Sequence, residues 1–352
     1  MNRNASNSMT LTRVWRLRAA LGALLLPLLG ASAGQTALAQ PSTPTATVWK
    51  LATAYSDSTF HTQNIRRFAD DIATSSEGAL RIEVHANGSL FKAAEVVPAV
   101  RAGKVEAGEV ILSSLAAQDP LFGIDAVPFL VSGYDDAQAL WTLSRPYLEK
   151  RAAAQGMVLL YAVPWPPQHL YSSRAIGGIK DFKALQMRTY NPATQRLAEL
   201  TGAKPTLIQV ADLGAALADG RVDLMFTSSW TGVETRAWSR MTHFYTVHGW
   251  IPKNAVFVQR ATFEKLPPAL RERVIVAART AELRGWSESQ ANAQRYEREL
   301  VAAGITVALP NPFLQDELRR LGERFAREWL KTSGSDGLNI VVAFEAKRFA
   351  QR

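Results

Sequence analysis

The chain has 352 residues, 47% of them hydrophobic, and this composition is that of a globular protein with two domains of moderate size or one large domain. It contains no cysteine, which excludes disulfide-stabilised folds and thiol chemistry. Its formal net charge is +9, but the charges are interspersed and no basic stripe carries aromatic residues, so a nucleic-acid partner is not predicted.

Residues 1–39 have the composition of a secretory signal peptide. Their only charges are four arginines, and an apolar run from Ala19 to Ala33 follows. Ala37-Leu38-Ala39 then predicts cleavage after Ala39 and export to a bacterial periplasm. The alternative is a membrane anchor, but the run is shorter than the ~20 residues that span a bilayer. Removing the four arginines from +9 leaves +5, and residues 40–47, rich in Pro, Ser and Thr, are predicted to be a linker.

The first folded segment alternates strands and helices. Strands are predicted where apolar residues alternate or run together, at residues 48–52, 80–84 and 107–113. Helices are predicted from apolar residues at helical spacing, after residues 56–59 and over residues 93–101. This alternation predicts a parallel sheet with crossover helices.

A second α/β series follows a helix predicted over residues 134–155. Its strands are predicted at residues 157–161, 170–173, 186–189, 204–208 and 222–226, and its helices from residue 191 and over residues 212–219. Arg188 comes at the C-terminal edge of its strand, where open α/β sheets place their ligands. A guanidinium there is a planar fork suited to a carboxylate or phosphate. The two similar series predict two lobes.

The C-terminal third is mainly helical. A strand at residues 254–258 is followed by a long helix over 269–302, a short strand at 304–307 and a final helix over 312–331. The long helix is expected to run along both lobes. The predicted organisation is a first lobe of residues 48–165 and 254–293, a second lobe of residues 166–253 and 294–330, and a C-terminal tail over residues 331–352.

Catalytic motifs are missing from the sequence. It contains neither H-E-x-x-H nor G-x-S-x-G, and its five histidines form no metal-binding pattern. Adjacent acids at residues 70–71 and 135–136 fit the surface of amphipathic helices better than a metal site. No catalytic residue, cofactor or metal is therefore predicted.

Several short segments occur in an order that is typical of one protein family. They include Leu51-Ala52-Thr53-Ala54, Asn87-Gly88-Ser89-Leu90, Pro120-Leu121-Phe122, Val127-Pro128-Phe129-Leu130, residues 179–185, Gly202-Ala203-Lys204-Pro205, residues 212–223 and Leu266-Pro267-Pro268. In this order they resemble the DctP-like extracytoplasmic solute-binding proteins of tripartite ATP-independent periplasmic (TRAP) transporters. The resemblance covers about residues 48–307.

The resemblance implies an α/β fold with two discontinuous lobes, joined by crossing strands and a long helix, whose cleft closes over a ligand. It places the arginine that binds the ligand carboxylate at Arg188. Asn191 and Ser228 are implied polar contacts, although Asn191 is also a candidate helix cap. Further cleft candidates are Tyr55, Ser113, Trp165, Tyr190 and Trp230; for the last three, core or hinge packing is the alternative.

Gln168 departs from the pattern of relatives that bind sialic acid or dicarboxylates, which carry a second arginine in this region. A glutamine forms hydrogen bonds but does not neutralise a second carboxylate, so a monocarboxylate ligand is predicted. The resemblance implies TRAP membrane permease subunits as partners and transport driven by an ion gradient. The alternatives are a periplasmic ligand sensor and an enzyme on the same two-lobe fold.

Overall fold

The computed structural model describes residues 46–350. The predicted signal peptide of residues 1–39, its cleavage site and the predicted linker up to residue 45 lie outside the described residues. The strands are β1 (Thr47–Thr53), β2 (Leu80–His85), β3 (Ala107–Ile111), β4 (Met157–Pro164), β5 (Gln168–Ser172), β6 (Gln186–Thr189), β7 (Lys204–Leu207), β8 (Leu224–Ser228), β9 (His243–Tyr245), β10 (Lys253–Gln259) and β11 (Thr306–Ala308).

The α-helices are α1 (Phe60–Ser75), α2 (Ala93–Arg101), α3 (Tyr134–Ala154), α4 (Pro192–Thr201), α5 (Val210–Ala218), α6 (Ser229–Glu234), α7 (Arg260–Glu264), α8 (Pro268–Ala302) and α9 (Pro312–Ala350). Short 3₁₀ helices cover Leu112–Leu115, Pro120–Ala126, Ile179–Phe182 and Ala237–Ser239. Of the helices in the described part of the chain, none has the length and apolar composition needed to cross a membrane.

The first lobe is built on a sheet with the strand order β2-β1-β3-β10-β4. β1 pairs in parallel with β2 and β3, as the alternation of strands and helices predicts. β10 runs antiparallel between β3 and β4. Successive residues of a strand point to opposite faces, so Trp49 and Leu51 of β1 share one core with Phe68 and Ile72 of α1.

The second lobe is built on a sheet with the strand order β11-β9-β5-β8-β6-β7. β6 pairs in parallel with β7 and β8, whereas β5 runs antiparallel to β8 and β9. Met187 of β6 belongs to the same core as Phe182 and Leu197, which turns the neighbouring Arg188 to the opposite face of the sheet. The described residues thus form the two-lobe α/β fold that the sequence predicts.

Two antiparallel segments join the lobes. β4 of the first sheet continues through residues 165–167 into β5 of the second, and the chain returns through residues 246–252 into β10. The backbone N–H groups of Trp165 and Gln168 donate to the carbonyls of Pro252 and Trp250, each at 2.8 Å. Paired crossing segments of this kind are where a two-lobe protein hinges.

The helices α8 and α9 run along both lobes. α8 packs against α1 and β4 of the first lobe and against α6 of the second. In α9, Glu317 Oε2 accepts a hydrogen bond from the backbone N–H of Ile179 at 2.7 Å, and Asp336 pairs with Arg151 of α3 at 2.8 Å. The lobe boundaries predicted near residues 293 and 294 fall inside α8 and stay a prediction.

The last helix extends beyond its predicted end. The sequence predicts a helix that ends at Lys331 and a tail after it, whereas helical structure continues to Ala350. Gly334 (φ 67°, ψ −164°) breaks the helix without ending it. Ile340 and Phe344 beyond the break are buried in the core cluster that also contains residues of α3, so packing stabilises the second part of the helix.

Candidate ligand-binding site

Arg188 of β6 is buried between the lobes, with 4% of its surface exposed. Its Nε donates to the carbonyl of Ile208 at 3.0 Å, and its Nη1 donates to Thr227 Oγ1 at 3.4 Å. The guanidinium carbon lies 4.7 Å from the ring centre of Tyr190. These contacts fix the orientation of the cation and leave Nη2 without a hydrogen-bond partner among residues 46–350.

No carboxylate of the described residues pairs with Arg188 within 4.0 Å. By contrast, the buried Lys253 has Asp125 at 3.7 Å. Burial lowers the pKa of Arg188 to about 10, so the guanidinium stays protonated at neutral pH. A buried charge is costly unless it is paired, so an anion placed against Arg188 would offset that cost.

A cavity of about 40 Å³, here the inner cavity, lies against Arg188. Tyr55 and Ile111 contribute to its wall from the first lobe, Trp165 from the crossing segment and Gln168 from the second lobe. Arg188 is the only charged residue of this lining in the described part of the chain. The inner cavity therefore presents one positive charge among aromatic, amide, hydroxyl and apolar groups.

A second cavity of about 530 Å³, here the outer cavity, opens beside the first. Tyr55, Ile111, Tyr190 and Gln209 line both cavities, so the cavities adjoin each other in the cleft between the lobes. Apolar residues of α2 form one side of the outer cavity. A ligand whose anionic group lies in the inner cavity has room for a neutral group in the outer one.

Glu109 is a buried carboxyl group at the border of the outer cavity. Its Oε2 accepts from Thr53 Oγ1 at 2.6 Å, and its Oε1 accepts from Asn254 Nδ2 at 3.0 Å. Asn254 Oδ1 in turn accepts from the indole N–H of Trp165 at 2.8 Å. Burial raises the pKa of Glu109 to about 7, while these hydrogen bonds act in the opposite direction. The two cavities therefore differ in charge, since Arg188 borders the inner cavity and the titratable Glu109 borders the outer one.

Polar contacts bridge the lobes on both sides of the cleft. On one side, Asn191 Nδ2 donates to Ser113 Oγ at 2.7 Å. On the other, Glu234 Oε1 accepts from the hydroxyl of Ser56 and, at 3.3 Å, from that of Ser58. The lobes are therefore in a closed arrangement.

Five of the predicted site residues lie at the cleft. Tyr55, Gln168 and Arg188 line the inner cavity together. Asn191 and Ser113 meet across the cleft, and Asn191 also borders the outer cavity. Asn191 caps α4 as well, since its Oδ1 accepts from the N–H of a first-turn residue at 2.8 Å. Both interpretations of Asn191, cleft residue and helix cap, describe its position.

The two other predicted residues, Ser228 and Trp230, lie outside the lining of both cavities. Ser228 is the last residue of β8 and caps α6, its Oγ accepting from the N–H of Thr231 at 3.1 Å. Trp230 packs in the core against Phe60 and Trp165. The sequence predicts that this strand ends at residue 226, but β8 runs two residues further, which moves Ser228 into the cap position.

Thr227 and Gln209 line the inner cavity and are not predicted from the sequence. Thr227 holds the Arg188 guanidinium from the neighbouring strand β8, and Gln209 follows the residue whose carbonyl holds it from the other side. Both residues are identified from their positions next to Arg188 in the fold and not from a sequence motif. Of the two aromatic walls considered from the sequence, Trp165 and Tyr190, both line the inner cavity.

The lining of the inner cavity combines hydroxyl, amide, aromatic and apolar groups with one cation. Within residues 46–350, no group of three or more His, Cys, Asp or Glu residues is arranged to hold a metal ion. The inner cavity has no histidine, cysteine or carboxylate among its described lining residues. Its hydroxyl and amide groups and Arg188 are suited to orienting an anion.

Comparison with known proteins identifies several similar chains. A family model for bacterial extracellular solute-binding proteins of family 7 matches residues 51–331. The structure resembles that of DctP6, a Bordetella pertussis extracytoplasmic solute receptor binding pyroglutamic acid, with 39% identity and a TM-score of 0.83 over 85% of this chain and 100% of that one.

Another similar structure is that of a marine metagenome TRAP solute-binding protein from an unidentified microbe, specific for pyroglutamate. It shares 32% identity and has a TM-score of 0.84 over 86% of this chain and 99% of that one. A solute-binding protein of Albidiferax ferrireducens is 24% identical over 219 residues, which are 60% of this chain and 64% of that protein.

Proposed function

The chain belongs to family 7 of the bacterial extracellular solute-binding proteins, and we propose that it is the substrate-binding subunit of a TRAP transporter that captures a small organic monocarboxylate. The observation that carries this proposal is Arg188, a buried guanidinium at an interlobe cavity without an acidic partner among the described residues. A ligand carboxylate would accept from its Nη2 and neutralise the charge. Binding to both lobes would then favour the closed state.

A ligand with one carboxylate fits the charges of the cleft. The inner cavity has one cation, and Gln168, where some relatives carry a second arginine, is neutral. A second carboxylate that extended into the outer cavity would approach Glu109, whose ionised form repels it. The inner cavity, at about 40 Å³, accommodates a carboxylate group rather than a whole organic acid.

Pyroglutamate is the ligand that the comparisons support best. The two solved structures at 39% and 32% identity are those of receptors that bind it. It carries one carboxylate on a compact five-membered ring, so its charge matches the single cation of the inner cavity. We propose pyroglutamate, or a monocarboxylate of similar size, as the substrate.

The proposed receptor acts in the periplasm, after removal of the signal peptide predicted for residues 1–39, and passes its ligand to TRAP permease subunits in the membrane. It carries out no catalysis, since the inner cavity offers groups that bind and orient an anion. The moving bodies are proposed to be residues 48–165 with 254–293 and residues 166–253 with 294–330.

A thermal-shift screen of the mature protein against organic acids tests this proposal, because a ligand that binds only the folded state raises its stability. The affinities of the hits are then measured by isothermal titration calorimetry. L-Pyroglutamate and other small monocarboxylates are expected to bind, and succinate to bind more weakly. Tighter binding of succinate than of every monocarboxylate would overturn the monocarboxylate assignment. Binding of no organic acid would overturn the receptor function itself.

A further inference from the structure

Gln209 holds a side-chain amide at the junction of the two cavities. It directly follows Ile208, whose carbonyl orients Arg188, and it lines both the inner and the outer cavity. It is also the N-cap residue of α5, yet its side chain makes no capping hydrogen bond. The amide is therefore available to the cleft instead of being committed to the helix.

One contact defines how this amide is oriented. Gln209 Nε2 donates to the carbonyl of Tyr190 at 3.4 Å. Exchanging the oxygen and nitrogen would place two acceptors against each other, so the nitrogen belongs on the Tyr190 side. Oε1 accepts no hydrogen bond from the described residues, and the second hydrogen of Nε2 is also uncommitted. Next to the single cation, the cleft thus offers one acceptor and one donor from the same amide.

We propose that Gln209 recognises a lactam, while Arg188 holds the carboxylate of the same ligand; this assignment rests on the proposed function. In a five-membered lactam the ring fixes the N–H and the C=O on the same side. That arrangement pairs with a primary amide through two hydrogen bonds, N–H to Oε1 and Nε2 to the lactam oxygen. A ligand without the N–H leaves Oε1 unpaired in the closed cleft, which reduces its affinity. The substrate class is therefore a small lactam carboxylate.

The contributions of the lactam N–H and C=O to affinity are separated with three ligands that share a five-membered ring and one carboxylate. L-Pyroglutamate carries both the N–H and the C=O, its γ-lactone analogue keeps the C=O but replaces N–H by oxygen, and cyclopentanecarboxylate has neither. Their affinities are measured by isothermal titration calorimetry with the wild-type mature protein. We expect the lactam to bind at least about tenfold more tightly than the lactone, because the lactone presents an oxygen acceptor to Oε1.

Gln209→Met removes the amide at nearly constant side-chain length. This variant is expected to lose at least about tenfold in affinity for L-pyroglutamate and to bind lactam and lactone almost equally, while cyclopentanecarboxylate binding stays within about twofold. The matched control is Gln186→Met. Gln186 is also a half-buried glutamine of the second lobe, but it lies outside the lining of both cavities and its Oε1 accepts from Thr206 Oγ1 at 3.1 Å, so its replacement should leave the lactam preference intact.

The outcomes distinguish this inference from the proposed function. If Gln209→Met retains the preference for the lactam over the lactone, or lowers the affinity for all three ligands to the same degree, then Gln209 does not recognise the lactam group. If the wild-type protein binds cyclopentanecarboxylate but not L-pyroglutamate, the lactam assignment fails while a monocarboxylate receptor stands. If the wild-type protein binds none of the three, the lactam assignment fails together with the pyroglutamate proposal on which it rests.

Discussion

Asn191 of the second lobe and Ser113 of the first form a buried hydrogen bond across the cleft, with Nδ2 donating to Oγ at 2.7 Å. Each residue belongs to a different sheet-bearing lobe, so the bond exists only when the lobes are closed. It therefore contributes to the closed state and, through it, to ligand affinity. It is also the contact that joins two residues predicted from the sequence to lie at the cleft.

Ser113→Ala is expected to weaken ligand binding by about 0.5–1.5 kcal/mol, the usual net contribution of one hydrogen bond. Asn191→Ser should have a similar effect, since serine still caps α4 but is too short to reach Ser113. In calorimetric titrations the double variant should bind as weakly as either single variant. Additive losses would show that the two side chains act independently.

Replacing Arg188 should separate binding from stability. Arg188→Met removes the partner of the ligand carboxylate and is expected to weaken binding by at least about 2 kcal/mol. The unliganded variant should unfold at a higher temperature than the wild type, because a buried charge without an acidic partner is exchanged for an apolar side chain. Arg188→Lys keeps the charge and loses the bidentate fork, so its affinity should be intermediate.

The control for this experiment is Arg174→Met, in the same lobe. Arg174 is exposed and its Nη2 donates to the carbonyl of Asp181 at 3.0 Å, away from the cleft. Its replacement should change neither the ligand affinity nor the unfolding temperature of the unliganded protein by much. Undiminished affinity in Arg188→Met would remove Arg188 from the proposed site.

Glu109 should make the stability of the unliganded protein depend on pH. Its pKa is about 7 in the folded protein, compared with 4.5 without the fold, so the folded state binds more protons between these values. The stability that Glu109 contributes is therefore greatest below about pH 4.5 and is lost as the pH rises through about 7. The loss is on the order of 3 kcal/mol. The neighbouring Tyr55 and Tyr161 have pKa values raised by burial and stay neutral in this range.

This dependence is measured against Glu109→Gln, which has no charge to titrate. Urea denaturation of both proteins between pH 5 and 8 should show the variant gaining stability relative to the wild type as the pH increases. The comparison also cancels the stability contributions of other groups with shifted pKa values. One of them is Asp125, whose pKa is raised by burial to about 6. Parallel stability profiles would mean that Glu109 ionises in the folded protein as readily as in the unfolded chain.

Gly285→Ala should destabilise the first lobe. Alanine is normally the better helix former, by about 1 kcal/mol, but here its Cβ would lie 2.6 Å from Cγ1 of Val163 and 3.0 Å from Nδ2 of Asn64. Such overpacking costs about 1–3 kcal/mol, so the steric effect outweighs the helix propensity. Thermal unfolding should give a lower midpoint than for Gly133→Ala, the control, where no atom lies within 4 Å of the added Cβ.

Local patterns were sufficient to locate many elements. Apolar residues at helical spacing and Gly103 predict α2 over 93–101, and the structure has it at Ala93–Arg101. The strand around Arg188 is likewise found at Gln186–Thr189. Pairing between distant strands is not encoded in such patterns. The antiparallel direction of β10 between β3 and β4 depends on pairs of residues that lie 89 to 151 positions apart in the chain, and it was not predicted.

The site was predicted in part for the same reason. Arg188 follows from its place at a strand edge, and Gln168 and Tyr55 from the resemblance. The position of Gln209 at the cleft depends on how the start of α5 packs near β6, and no local sequence pattern predicts that packing. An error of two residues in the predicted end of strand β8 was enough to misplace Ser228.

The position of β10 in the first sheet affects the order in which the protein can be assembled during synthesis. β4 pairs within this sheet only with β10, which is separated from it by all of β5 to β9. The first sheet therefore cannot be completed until Gln259 has been translated, after the strands β5 to β9 of the second sheet. Synthesis of the second lobe therefore starts before the first sheet is complete, and until Gln259 is translated the nascent chain has no complete N-terminal domain that could fold by itself.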